Sequence, residues 1–141
     1  FTAEVVAASR RHGARVLVNG GAAIAASAHA DGVHLTASQL MQAGRRPGGD
    51  WCGASCHDAA ELARARELGI DFVVLGPVRE TPGHAGAKIM GWEECARLIS
   101  DYPLPVYALG GMRAVDLDQA WRCGAHGVGM VRGAWPGEKL G

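Results

Sequence analysis

Short apolar runs of strand length recur along the chain, and between them lie segments whose apolar residues return every three or four positions. Residues 15–19 (RVLVN), 32–35 (GVHL), 51–55 (WCGAS), 71–76 (DFVVLG), 105–110 (PVYALG) and 127–131 (GVGMV) read as strands. Their Val and Leu positions run together without polar alternation, which predicts a parallel sheet covered on both faces. Residues 2–12, 22–28, 37–43, 59–68, 92–100 and 114–122 read as helices, with the start of one more after Gly133. The order is one helix, five strand-helix units and a last strand.

The helix ends carry legible chemistry. Thr36 with Gln39, and Asp58 with Glu61, match the capping box in which two side chains satisfy the orphan amides of a first turn. Gly69 and Gly124 stand where helices stop before the next strand. Residues 44–50 (GRRPGGD) read as a surface loop. Strand-helix repeats with short returns imply right-handed parallel crossovers. A (β/α)8 barrel and an open doubly wound sheet both fit, and six strands would make an incomplete barrel, since a full one takes about 200 to 250 residues.

Composition narrows the function classes. The 141 residues carry 14 Lys+Arg against 14 Asp+Glu, so the basic excess expected of a nucleic-acid or anionic-membrane binder is missing. No apolar run approaches the roughly 20 residues of a membrane span, which predicts a soluble, cytoplasmic domain. Cys52, Cys56, Cys95 and Cys123 are too few and too scattered for a disulfide framework, and read as buried thiols in a reducing compartment. The chain opens on Phe1 with no basic leader and cleavage site, so it is expected to be an internal or processed segment of something longer.

In either architecture ligands meet the carboxyl ends of the strands. There the sequence places Asn19-Gly20, Leu35-Thr36, Ser55-Cys56-His57, Gly76-Pro77, Gly110-Gly111 and residues 130–133. The long connection 77–91 reads either as a flap holding Thr81, His84 and Lys88 or as a plain surface loop. Gly110-Gly111 and the stretch from Gly129 to Gly133 offer backbone amides to an anion after the last two strands, where barrels often bind phosphate, and Arg132 would add charge. His57 follows Ser55 and precedes the capping Asp58, which predicts an imidazole beside a hydroxyl at the strand mouth. An imidazole there is a candidate acid and base near neutral pH; the alternative is a histidine bonded at a helix start. His34 reads as a satisfied core residue, and His12, His29 and His126 as peripheral.

Five collinear stretches, GVHLT at 32–36, CGASCHD at 52–58, DFVVLGPVRET at 71–81, PVYALGGM at 105–112 and GAHGVGMV at 124–131, resemble the thiamine-phosphate synthase/TenI family. The likeness covers residues 14–134. PGHAGAKIMGW at 82–92 with PVYALGGM is most similar to the TenI-type domain at the carboxyl end of Nudix hydrolase fusions. The resemblance implies a (β/α)8 TIM barrel, here reduced to barrel strands three to eight in a single incomplete domain. The first two strands, and with them the pyrimidine-pyrophosphate motif, would lie outside the chain.

The same resemblance implies site residues. The synthases couple a pyrimidine pyrophosphate to a thiazole phosphate with magnesium on two aspartates, and those positions fall on Gly20 and Gln39. No metal site or other cofactor is therefore expected. The flap keeps Thr81 but has Gly83 and His84 in place of the synthase pattern. The TenI branch is a thiazole tautomerase, an isomerase whose histidine falls on His57. By the resemblance, Asn19, Ser55, Thr81 and His84 would bind substrate, and Gly110, Gly111, Val131 and Arg132 the phosphate. The expected activity is thiazole phosphate tautomerisation in thiamine biosynthesis. The alternatives are a thiamine-phosphate synthase or a non-catalytic phosphate-ligand domain fused to a Nudix hydrolase. The expected partner is a small thiazole phosphate, with no nucleic acid or membrane and with a homodimer common in the family.

Overall fold

Six parallel strands form one sheet in the computed structural model, which describes residues 1–81, 86 and 88–135. They are β1 (Leu17–Asn19), β2 (Gly32–Leu35), β3 (Trp51–Cys56), β4 (Phe72–Leu75), β5 (Val106–Ala108) and β6 (Gly127–Val128). The helices are α1 (Thr2–Arg10), α2 (Ala22–Ser27), α3 (Ala37–Gln42), α4 (Ala59–Glu67), α5 (Gly91–Ile99) and α6 (Leu117–Cys123). Short 3-10 turns occupy Ala114–Asp116 and Arg132–Ala134. All six expected strands and six expected helices are present, most of them trimmed at the ends; the helix expected to start after Gly133 falls largely outside the described residues.

The strand order in space is the order in sequence, with no reversal. A doubly wound sheet reverses order at its switch point. Continuous winding in one direction keeps the helices on one face, as in a (β/α) barrel, and that decides between the two expected architectures.

Register shows what each face does. Neighbours paired in a parallel ladder share a face, and successive residues alternate. Leu35, Ala54, Val73 and Val106 form one row, and Cys56, Leu75 and Ala108 another. All seven are buried, in one cluster with Leu40 of α3, Leu62 and Ala65 of α4, Cys95 and Ile99 of α5, and Ala120 of α6. The opposite face carries Asn19, His34, Gly53 and Phe72 in one row and Ser55, Val74, Tyr107 and Gly127 in the next. Its larger side chains, His34, Ser55, Phe72, Val74 and Tyr107, are only half-buried. The expectation of two covered faces is therefore corrected. One face is packed under helices, and the other is the inner wall of a barrel, partly open among the described residues.

The caps form with one change. Thr36 and Gln39 make the full reciprocal box, whereas Asp58 accepts from the Glu61 amide but Glu61 returns to His57, one residue further upstream. All four cysteines are free and buried. No helix among the described residues is long and apolar enough to cross a membrane.

Candidate functional site

Three adjacent strands bring polar side chains to the inner wall at or just below its carboxyl mouth. Asn19 ends β1 in register with His34 of β2, and the His34 Nε2 lies 2.9 Å from the Ser55 Oγ on β3. Close packing makes room for that pair. A Cβ at Gly53, between them in the sheet, would stand 2.8 Å from His34 Nδ1 and 2.5 Å from Phe72 Cζ. The Phe72 ring tilts 6.2 Å from His34 and meets Tyr107 edge-on at 5.7 Å. Burial lowers the His34 pKa, so the imidazole is neutral at pH 7. His34 was expected in the core; it is instead a wall residue satisfied by a wall hydroxyl.

Above this wall stand the loops after β4 and β5, held together by backbone. Val78 donates to the Leu109 carbonyl (2.8 Å) and Arg79 to that of Gly110 (3.3 Å). Gly110 (φ +104°) and Gly111 (φ +63°) both need left-handed backbone. A Cβ would stand 2.8 Å from Pro77 Cα at the first and 2.8 Å from the Glu80 carbonyl oxygen at the second. The glycine pair therefore serves loop packing first. Gly111 and Val131 are exposed residues whose amides have no backbone acceptor among the described residues. Arg132 is exposed beside them at the start of the last 3-10 turn.

One buried carboxylate ties these loops together. Asp116, 5% exposed, accepts from Arg79 Nη1 at 2.6 Å and from the Arg113 amide at 2.9 Å. The Arg79 guanidinium also lies over the Trp92 ring at 5.7 Å. Neither Arg79 nor Asp116 was identified from the sequence. The available signal was a lone acid at the start of a helix pattern, which reads as an ordinary first-turn residue.

His57 goes elsewhere. Its amide donates to Glu61 Oε2 (2.6 Å) and its Nδ1 lies 3.0 Å from the same oxygen, with about half of the side chain exposed. The expected pairing of His57 with the Ser55 hydroxyl is thus corrected: Ser55 turns inward to His34, and His57 to the first turn of α4. His57 lines a groove of about 570 Å³ with Asp58, Pro77, Lys88, Met90 and Arg97, and none of the inner-wall polar residues borders it. Thr81 is half-buried within the loop after β4. His84 lies outside the described residues.

The positions where magnesium carboxylates were sought do not fit a hard cation. Gln39 Oε1 accepts from the Thr36 amide (2.9 Å) and hydroxyl (3.1 Å), and its Nε2 donates to the Gly20 carbonyl at 3.3 Å. A Cβ at Gly20 would stand 2.6 Å from that Nε2. The amide fills the place a side chain at 20 would use, and neutral groups satisfy one another where a divalent ion needs carboxylate oxygens. Among the described residues no three acidic, histidine or cysteine side chains gather as a metal site.

Comparison with known proteins agrees with this architecture. Residues 1–134 match the family model described as thiamine monophosphate synthase. A thiamine-phosphate synthase from Thermobifida fusca is 39% identical over 128 residues, covering 86% of this chain and 58% of that protein. One from Thermus thermophilus is 34% identical over 134 residues, covering 91% and 63%. The structure of a thiamine phosphate pyrophosphorylase from Pyrococcus furiosus superposes with a TM-score of 0.75 at 23% identity, covering 94% of this chain and 66% of that one. The chain thus spans less than two thirds of the length of these relatives. On the family match over residues 1–134, the chain belongs to the thiamine monophosphate synthase family.

Proposed function

We propose that this chain is a thiamine-biosynthesis domain that binds a thiazole phosphate at the carboxyl mouth of its strands. The observation that supports this reading is that two groups stand at the carboxyl ends of strands of one sheet. The Gly111 and Val131 amides offer donors to a phosphate, and Asn19, His34 and Ser55 line the inner wall for a polar ring. Arg132 and Thr81 are proposed to add to the same anion site.

Two reactions on that ligand come into question. The first is thiamine-phosphate synthesis, which the names of the relatives support. The Gly20–Gln39 closure does not fit a magnesium ion. The second is the tautomerisation of a thiazole phosphate, favoured by that same closure and by the His57–Glu61 pair. A carboxylate on Nδ1 holds the proton there and leaves Nε2 as the base. His57 would take a proton from a ring carbon and return it at the other end of the shifted double bond. One proton leaves and one arrives, with no change of oxidation state. The domain is proposed as part of a longer polypeptide, with a fused Nudix domain as one arrangement.

The full-length protein should be titrated calorimetrically with thiazole phosphate and assayed for two products. Saturable binding with thiamine phosphate formed from added pyrimidine pyrophosphate and magnesium establishes the synthase. Binding with ring isomerisation that His57→Ala abolishes establishes the tautomerase. No binding refutes the proposal.

A further inference from the structure

His34 and Ser55 form a hydrogen-bonded pair on the inner wall that takes no chemical step in either reaction. The contact is 2.9 Å between adjacent strands, and Gly53 leaves space for it. Phe72 and Tyr107 wall it on the far side. A neutral imidazole has one donor and one acceptor nitrogen, so the pair has two states. With Nε2 as acceptor, the Ser55 hydrogen is tied to His34 and the hydroxyl offers only lone pairs inward. With Nε2–H as donor, the Ser55 hydrogen is free to point into the barrel. A thiazole phosphate presents phosphate oxygens and a ring nitrogen, which are acceptors only. A hydroxyl that meets it must donate.

We infer that His34 is a positioning residue, whose Nε2–H donates to Ser55 Oγ and turns the Ser55 hydroxyl inward as a donor to the bound ligand. Burial supports this by keeping the ring uncharged, with a single tautomer to be fixed. The inference rests on the thiazole phosphate reading of the site.

Long-range 1H–15N spectra of histidine-labelled, full-length protein report which nitrogen of His34 carries the proton. We expect the Nε2–H tautomer at pH 7.5 and a displaced Nε2 resonance in Ser55→Ala. Titration with thiazole phosphate should then show His34→Phe weakening affinity about tenfold, the size of one hydrogen bond lost. His34→Gln, which retains an N–H donor, should recover most of it. Ser55→Ala should lose as much, and the double variant His34→Phe/Ser55→Ala should bind no more weakly than Ser55→Ala alone, because both changes remove one interaction. An Nδ1–H tautomer overturns the positioning role even where the ligand binds, and so do additive losses. Failure of the wild-type protein to bind thiazole phosphate overturns the proposed function, and the tautomer measurement on the same sample judges the His34–Ser55 bond separately.

Discussion

Asp116 and Arg79 are unequal partners, and the inequality gives a test of how the loops above the barrel are held. The Asp116 side chain is 6% exposed, whereas that of Arg79 is 40% exposed. Removing one member of a buried pair costs about 3–5 kcal/mol when the member left behind stays buried. Asp116→Ala leaves an arginine that can turn into water and keep its contact with Trp92. Its cost is then the lost charge-assisted bond at about 1.5–3 kcal/mol, with about 0.5–1 kcal/mol more for the Arg113 amide. Solvent around Arg79 reduces the first figure, so we expect about 2–3 kcal/mol in all. Arg79→Met instead strands a carboxylate that keeps a single amide donor in a dry site, and should cost about 3–5 kcal/mol. The order is the unusual part, since losing the more exposed residue should do the greater damage. Arg79→Met/Asp116→Leu should recover part of the loss, because an apolar pair needs no compensation. Urea unfolding of wild-type protein and the three variants, analysed by linear extrapolation, measures all of this. An Asp116→Ala cost below about 0.5 kcal/mol, or the reverse order of the single variants, would refute the reasoning.

Further outcomes follow from the wall and the core. Because burial sets the folded pKa of His34 below its ordinary 6.5, the unfolded chain binds the proton more readily. The stability this provides is complete above pH 6.5 and is lost as pH falls through the lowered value; His34→Gln should flatten that part of a stability profile between pH 7.5 and 5, and an unchanged slope would remove His34 as its source. Gly53→Ala should destabilise the fold by about 1–3 kcal/mol, because its methyl would meet Phe72 Cζ at 2.5 Å and His34 Nδ1 at 2.8 Å; chemical denaturation checks it, and a neutral result would mean the wall is looser than its packing. Burial, with help from Glu61 and Asp58, pushes the Cys56 thiol up to about 12, and burial with Cys123 beside it does the same for Cys95. The folded protein should therefore react slowly with Ellman's reagent at pH 8 and release all four thiols only on unfolding; rapid modification of either residue in the folded state would contradict its burial.

Sequence periodicity located the elements because each apolar run had to supply the row buried under helices, as Cys52, Ala54 and Cys56 do on β3. It misjudged the opposite face. Short strands such as GVHL and WCGAS set small or weakly polar residues on the inner wall, so no polar alternation marks it, and His34 passes for core. Adjacency of letters also misled at the mouth. Ser55 and His57 are two apart, which suggests one shared face, but β3 ends at Cys56 and the chain turns toward α4, where Glu61 takes both the amide and the ring of His57. Contacts between strands carry the rest: His34 reaches Ser55 across 21 residues and Arg79 reaches Asp116 across 37. Such separations leave no local spacing to read, and only the pairing of consecutive parallel strands, with the loops that follow them, brings these residues together. The same register bears on chemistry. It aims Ser55 into the barrel while His57 faces the groove beside α4, so a ligand served by both would have to cross the rim between them, and the effects of Ser55→Ala and His57→Ala on binding and turnover separate a shared site from two.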